Sequence, residues 1–146
     1  RLMTHTIAID LGGTHIRNRG PEQAAFLSPL KSAADRGIVF GNHTDFNVAP
    51  IDQLFVVWSA VNRVAREGGV VGPEERVSPY VALKGITANV AYWYREEDRK
   101  GTLEAGKLAD LVILDRNPLR VDPMTIKDIK VLETVKEGCT IYTAAP

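Results

Sequence analysis

"IVFGNHTDFNVAP", residues 38–50, begins with three apolar residues and passes at once into a polar segment that contains His43 and Asp45. The apolar run predicts a short buried strand over residues 38–41, and Pro50 is typical of the first turn of a following helix. Imidazole and carboxylate groups are the side chains that bind metals and transfer protons. The segment therefore predicts a strand at whose end an acidic side chain lies in a functional site. The alternative is a turn or capping role for Asp45 ahead of the next helix.

Strand and helix patterns alternate on both sides of this segment. Upstream, a β-rich run at residues 7–9 ends in a glycine-rich turn and precedes a helical stretch at residues 21–37, which Gly37 can end in a left-handed conformation. Pro29 interrupts that stretch, so that Ser28 can cap a second helix. Downstream, one amphipathic helix follows Pro50 and another begins at Ser78. Their apolar stripes consist of Leu54, Val57, Trp58, Val61 and Val64, and of Leu83, Ile86, Val90 and Tyr94. Such alternation is typical of the βα units of a parallel sheet.

The pattern changes after residue 100. Residues 109–114 predict a buried strand, residues 129–135 alternate between apolar and polar, and "KEGC" (136–139) can turn the chain into a further strand up to residue 142. Two parallel strands and three additional strands close neither a barrel nor a sandwich. The sequence therefore predicts an incomplete fold with unpaired strand edges. The helix stripes around Trp58, Val61, Leu83 and Val90 are expected to be partly uncovered, which favours self-association.

The composition is that of a globular chain about one domain long. The 146 residues are 45% apolar and 25% charged, which is unlike a disordered protein. Basic and acidic residues number 18 each, so the charge balance favours neither nucleic acid nor an anionic membrane as a partner. No apolar stretch approaches the roughly 20 residues that cross a bilayer, and no signal peptide is visible. The single cysteine, Cys139, excludes an internal disulfide and fits a cytoplasmic location.

Three segments resemble a known family. "GTLEAGKLADLVILDRNPL" (101–119) is similar to the C-terminal signature of the amidohydrolase superfamily, in which a glycine-rich run enters a β-sandwich. "DIKVLETVKEGCTIY" (128–142) resembles the closing hairpin of that sandwich. "SPLKSAADRGIVFGNHTDFNVAPIDQLFVVWSAVNRV" (28–64) resembles the branch that includes the N-substituted formamide deformylases. The resemblance covers roughly residues 15–142.

The resemblance implies an α/β fold of two parts. Residues 1–100 would be the C-terminal βα units of a (β/α)8 TIM-type barrel. Residues 101–146 would be part of a small β-sandwich. Together they would form an incomplete fold, the C-terminal portion of a longer hydrolase.

The resemblance also implies a site. In that superfamily the last barrel strand ends in an aspartate that touches the catalytic metal and takes a proton from its water, and Asp45 falls at that position. His43 is a second catalytic candidate, with a hydrogen-bonded structural histidine as the alternative. His5 is the best counterpart of a pocket histidine near the end of the seventh strand, on the substrate side. The family's metal-binding histidines lie on earlier strands, and this chain contains no His-x-His.

The implied function is hydrolysis of C–N bonds in small amide-like substrates. Hydrolysis would depend on a divalent metal, zinc by expectation. It would also require the rest of the full-length enzyme, so the isolated chain is expected to be inactive. One alternative is a non-catalytic remnant or oligomerising module.

A second alternative arises from "IAIDLGGTHIR" (7–17), which is similar to the phosphate-binding turn of sugar kinases. In that interpretation glycine backbone N–H groups and Thr14 contact phosphate while Asp10 orients magnesium. A kinase requires a hairpin next, and residues 21–37 predict a helix instead.

Overall fold

The computed structural model of the chain describes residues 10–145 and the backbone of residues 2–5. These residues form a mixed α/β structure with one parallel strand pair and one small antiparallel sheet. The elements are β1 (Leu2–His5), α1 (Gly12–Arg19), α2 (Pro21–Ala25), α3 (Leu30–Asp35), β2 (Phe40–His43), α4 (Gln53–Asn62), α5 (Pro79–Lys84), α6 (Ala88–Tyr94), β3 (Leu111–Leu114), β4 (Val131–Lys136) and β5 (Cys139–Thr143). Short 3-10 helices lie at Pro73–Glu75 and Pro123–Asp128. None of the helices in these ranges is long and apolar enough to cross a membrane.

Strand β2 lies two residues later than predicted, over Phe40–His43 in place of 38–41. The reason is the end of α3, where Gly37 adopts a left-handed φ of 65° and donates its N–H to the Ala34 carbonyl at 3.0 Å. The N–H of Ile38 bonds the Ala33 carbonyl at 2.9 Å, which completes a Schellman motif. Ile38 is thus still part of the helix cap and is exposed. The left-handed role predicted for Gly37 is confirmed.

Both edges of β2 are occupied. On one side β1 runs parallel to it, with Leu2 opposite Phe40 and His5 opposite His43. On the other side, the N–H of Asn42 bonds the Gly85 carbonyl at 2.9 Å, and the Asn89 amide nitrogen bonds the Phe40 carbonyl at 2.8 Å. The junction between α5 and α6 therefore holds the strand from which the candidate site extends.

The core is built around α4. Every residue from Val56 to Asn62 is buried, and Phe40, Leu30 and Ile126 pack in the same cluster. Trp58 and Val61 are only 7% and 8% exposed, so the expectation that they are partly uncovered is wrong. The cause is the 3-10 helix Pro123–Asp128, which packs on α4 and accepts the Trp58 indole N–H at the Met124 carbonyl, 3.0 Å away.

The helix boundaries differ from the predicted ones at four points. Helix α4 begins at Gln53 after an Asp52 cap, and it ends before Val64 because Arg63 turns to a φ of 56°. Ser78 caps α5 as predicted, but the single helix expected up to Tyr94 is divided at residues 85–87. The predicted break near Ser28 is present. The expected cap is not, since α3 starts after Pro29 without a side-chain cap bond.

The antiparallel sheet has the order β3–β4–β5, and the predicted hairpin at "KEGC" is confirmed. The expectation that residues 109–114 form a buried strand is wrong, because Val112 and Ile113 are 52% and 45% exposed. Every residue of β5 is also exposed. Within the described part of the chain, three strands have too few neighbours to cover both faces of the sheet.

The strand expected at residues 7–9 lies outside the described residues. After it, Gly12 and Gly13 do not form a glycine-rich turn but begin α1. A Cβ on Gly12 would overlap the Val71 side chain, so glycine is needed there for close packing against the loop after α4.

Candidate functional site

The candidate site lies at the carboxyl-terminal ends of β1 and β2. The parallel register places the backbone of His5 directly beside that of His43, and Asp45 follows two residues later. Residues 38 positions apart in sequence are therefore neighbours at one sheet edge. The sequence predicted that Asp45 would follow the end of a strand. The structure adds that the backbones of His5 and His43 are paired beside it.

Asp45 has a distinctive backbone. It is half-buried and adopts the left-handed conformation with φ 57°, which is uncommon outside glycine. Its N–H bonds the His43 ring nitrogen Nδ1 at 3.1 Å, and its carbonyl accepts the Val48 N–H at 2.7 Å. Asp45 is not the cap of α4, because Asp52 holds that position and accepts the Phe55 N–H at 2.9 Å. The capping half of the alternative for Asp45 is therefore wrong, whereas the turn half is confirmed, because the bond from Val48 makes Asp45 the first residue of a turn.

His43 is half-buried, and its Nδ1 acts as an acceptor, so the ring proton of the neutral imidazole is on Nε2. Its own backbone N–H bonds the Asn42 side-chain oxygen at 3.1 Å. Asn42 lies inside β2 and is buried. Successive side chains at the end of this strand thus each accept a following backbone N–H.

The loop after Asp45 presents an apolar surface that the sequence analysis did not identify. Its large apolar side chains are exposed: Phe46, Val48 and Ile51. The sequence offers one weak indication of this surface: the three apolar residues lie in a segment whose apolar positions repeat with neither a helical nor a strand spacing. Apolar side chains next to a carboxylate can contact the apolar part of a small substrate while the acid faces its polar group.

Asn89 and Gly85 are further residues that sequence reasoning missed. They hold β2 through its backbone from the α5–α6 junction. A Cβ on Gly85 would lie 2.9 Å from the Phe40 ring, which leaves no room for a side chain there. No local pattern marks either residue, because their partners are more than forty positions away in the chain.

The described residues do not complete a metal centre by themselves. Residues 10–145 contain no group of three or more histidine, cysteine, aspartate or glutamate side chains placed to hold a metal ion. A catalytic zinc takes three protein ligands and a closed site takes four. Asp45 offers a suitable oxygen donor, but a metal at this edge would need ligands from outside the described side chains.

The segment that resembles a phosphate-binding turn has other partners. Asp10 is buried and pairs with Arg66, and Arg17 bonds both Glu67, at 2.7 Å, and the Thr14 hydroxyl, at 3.0 Å. The contact with Glu67 raises the pKa of Arg17 and lowers that of Glu67. Asp10 and Thr14, the two side chains named for that role, thus already have partners within the chain.

A larger cleft lies away from Asp45. It has a volume of about 740 Å³ and opens between helices α5 and α6 and the antiparallel sheet. Its lining is mainly apolar and includes Leu83, Ile86, Val90, Leu108, Leu111 and Ile141. Size alone would favour this cleft as the site, and its lining also includes Glu96, Lys100, Asp110 and Lys136. These groups already have partners, since Lys100 pairs with Glu96 at 3.1 Å, Asp110 accepts the Glu137 N–H at 2.8 Å and Lys136 pairs with Glu137 at 3.1 Å. The candidate acid, Asp45, lies instead just beyond the end of β2.

Comparisons with known proteins identify the family. The sequence profile of the amidohydrolase family matches residues 3–142. The N-substituted formamide deformylase of Arthrobacter pascens is 30% identical over 116 residues, which are 80% of this chain and 21% of that protein. A putative amidohydrolase of Bacillus subtilis strain 168 is 26% identical over 144 residues, which are 97% of this chain and 27% of that protein.

Structure comparison agrees on the fold. An amidohydrolase from Thermotoga maritima MSB8 superposes with a TM-score of 0.60 at 17% identity, over 97% of this chain and 36% of that one. This chain spans only 21% and 27% of the lengths of the two curated relatives, and it reproduces part of an amidohydrolase fold. Because the family profile matches residues 3–142, which include β2, α4 and nearly all of the antiparallel sheet, the chain belongs to the amidohydrolase family.

Proposed function

We propose that this chain is part of a metal-dependent hydrolase that cleaves C–N bonds in small, amide-like substrates. The observation that carries the proposal is the position of Asp45, just beyond the carboxyl end of a strand in a parallel pair. Enzymes built on parallel β/α barrels place their catalytic residues at these strand ends. The names of the relatives, which include an N-substituted formamide deformylase, support the bond class.

The architecture that fits this function has two parts. Residues 1–100 would supply C-terminal βα units of a TIM-type barrel, with β1 and β2 as adjacent strands. Residues 101–146 would supply the C-terminal part of a small β-sandwich. The parallel register of the first strand pair and the antiparallel order of the last three strands support this division.

Asp45 would act first as a base and then as an acid. Water adds to the amide carbonyl carbon, and Asp45 takes the proton that the water loses. The C–N bond then breaks, and the same proton passes from Asp45 to the leaving amine nitrogen. A divalent metal, zinc by expectation, would lower the pKa of that water when bound, with Asp45 as a ligand from this chain. His5 would lie on the substrate side, and the apolar loop after Asp45 would face the nitrogen substituent.

We expect the isolated 146-residue chain to have no amidase activity, because residues 10–145 lack a group of three metal ligands. The assay is turnover of N-formyl and N-acyl amides with added zinc. Turnover by the chain alone that Asp45→Asn abolishes would contradict this expectation.

The role of Asp45 is tested in a completed enzyme, made by joining the chain to the preceding strands of the Arthrobacter pascens relative. Asp45→Ala removes the proton acceptor, so kcat for an N-substituted formamide should fall by about 10²–10⁴-fold. The controls are Asp110→Ala and Asp115→Ala, which remove carboxylates that accept the backbone N–H groups of Glu137 and Lys130 at 2.8 Å. These should lower stability by about 1 kcal/mol and leave kcat unchanged. Near-full activity of Asp45→Ala would refute the proposal.

The exposed antiparallel sheet favours one other function, a non-catalytic oligomerising module. The completed enzyme distinguishes the two. A chain that only associates would give a folded fusion with no turnover of any amide, whatever residue stands at position 45.

A further inference from the structure

Three hydrogen bonds enclose the backbone at the end of β2. The Asn42 side-chain oxygen accepts the N–H of His43 at 3.1 Å, and the His43 Nδ1 accepts the N–H of Asp45 at the same distance. The Asp45 carbonyl then accepts the N–H of Val48 at 2.7 Å. The peptide groups on both sides of the Asp45 Cα are therefore fixed by named partners.

This enclosure explains how Asp45 holds a left-handed conformation. A non-glycine residue with φ 57° persists only where its surroundings impose that conformation, and such residues cluster at functional sites. The backbone angles set the direction of the Cα–Cβ bond. Whatever fixes the Asp45 N–H therefore also helps to set the direction in which its side chain leaves the backbone.

His43 lies where the buried strand passes into the exposed loop. Asn42, directly before it, is buried and donates its backbone N–H to the Gly85 carbonyl, and Thr44, directly after it, is also buried. Downstream, Phe46, Asn47 and Val48 are all exposed. The bond to His43 therefore joins Asp45 to the end of β2, directly ahead of the exposed loop.

We propose that His43 is a positioning residue, which aims the Asp45 carboxylate by accepting its backbone N–H at Nδ1. The proposal rests on the proposed role of Asp45 as the site acid, and it assigns His43 no contact with the substrate. A displacement of about 1 Å in a reacting group can lower the rate of an enzyme about 100-fold. Loss of the His43–Asp45 hydrogen bond should therefore change kcat by a measurable amount.

Two substitutions separate positioning from direct chemistry. Leucine at position 43 has a similar apolar bulk and no acceptor, so His43→Leu releases the Asp45 N–H. Asparagine can accept an N–H two residues ahead through its side-chain oxygen, as in an Asx turn, but it has no imidazole. His43→Asn should therefore restore what His43→Leu loses.

The first experiment uses the 146-residue chain and needs no activity. Amide hydrogen exchange followed by NMR should show a protected Asp45 N–H, loss of that protection in His43→Leu, and its recovery in His43→Asn. The control is His15→Leu, a histidine in α1, which should leave Asp45 unchanged. Unaltered protection in a folded His43→Leu chain would overturn the proposal. Imidazole nitrogen shifts of the unsubstituted chain provide a check that does not depend on folding of the variants, and a proton on Nδ1 in place of Nε2 would also overturn it.

The second experiment measures kinetics in the completed enzyme. His43→Leu should lower kcat about 10- to 100-fold with little change in KM, and His43→Asn should recover most of that loss. Equal losses in both variants would mean that the imidazole itself takes part in the reaction, which overturns the positioning role. Full activity of Asp45→Asn would instead show that the proposed function is wrong, and the exchange experiment would still report on the bond.

Discussion

Arg63 is a single residue that joins three segments of the chain. Its guanidinium is fully buried and donates to the carbonyls of Val71 at 2.6 Å, Leu27 at 2.6 Å and Ser28 at 2.9 Å. Burial lowers the pKa of Arg63 to about 10, which still leaves it charged at neutral pH. A buried charge is tolerated because several backbone oxygens surround it. In the sequence, Arg63 looks like an ordinary basic residue at a helix end.

Arg63→Met should lower the free energy of unfolding by about 3 kcal/mol, since it removes the donor from several buried carbonyls at once. Urea denaturation of the chain measures the change. The matched control is Arg95→Met. Arg95 also ends a helix with a left-handed φ, 59°, but is exposed, so the expected effect is below about 0.5 kcal/mol. Equal destabilisation by the two variants would mean that the buried hydrogen bonds contribute little.

The β4–β5 hairpin is an element whose turn does more than reverse the chain. The turn residues Glu137 and Gly138 have φ values of 50° and 80°, the pattern of a type I′ turn. The N–H of Glu137 bonds the Asp110 carboxylate at 2.8 Å, and the N–H of Gly138 bonds the Ala109 carbonyl at 3.1 Å. The tip of the hairpin therefore anchors the residues that lead into β3.

Glu137→Asn should raise stability by about 0.5 kcal/mol, because asparagine adopts positive φ at lower cost and the backbone N–H to Asp110 is kept. Thermal unfolding followed by circular dichroism measures the shift. Gly138→Ala is the opposite variant. No atom lies within 4 Å of its new Cβ, so its expected loss of about 1 kcal/mol comes from φ alone. A less stable Glu137→Asn chain would show that the exposed pair between Lys136 and Glu137 outweighs the turn.

On the scale of the whole molecule, the antiparallel sheet is the least covered part of the described chain. Its order leaves one side of β3 and one side of β5 without a neighbouring strand among residues 2–5 and 10–145. Large apolar side chains are exposed on or near it: Leu103, Val112, Ile141 and Tyr142. Unpaired edges with apolar faces promote pairing between copies.

We expect the 146-residue chain to self-associate through this sheet. Sedimentation velocity over a range of concentrations should show a rising sedimentation coefficient. Ile141→Lys places a charge on the edge strand and should shift the chain towards monomer. Phe26→Lys introduces the same charge at an exposed apolar residue in the link between α2 and α3, and it should leave association unchanged. A strictly monomeric chain at every concentration would contradict the expectation.

Several features could be predicted because the interactions that cause them are local. The Ser78 cap bonds the N–H of Val81, three residues ahead, and Gly37 and the "KEGC" turn depend only on which residues tolerate positive φ. The same holds for the placement of Asp45 just after a buried strand. Its role as the site acid stays a prediction, since the chemistry depends on groups beyond the described residues.

Other features depend on partners far away in the chain. The Trp58 indole bonds a carbonyl 66 residues away, and Arg63 reaches back 36 residues to Leu27. The neighbourhood of His5 and His43 exists only because β1 and β2 pair in parallel. A local pattern specifies caps, turns and apolar faces through the conformations that each residue allows. Which distant surface covers an apolar face, and which backbone oxygens surround a buried charge, depends on how the elements pack together.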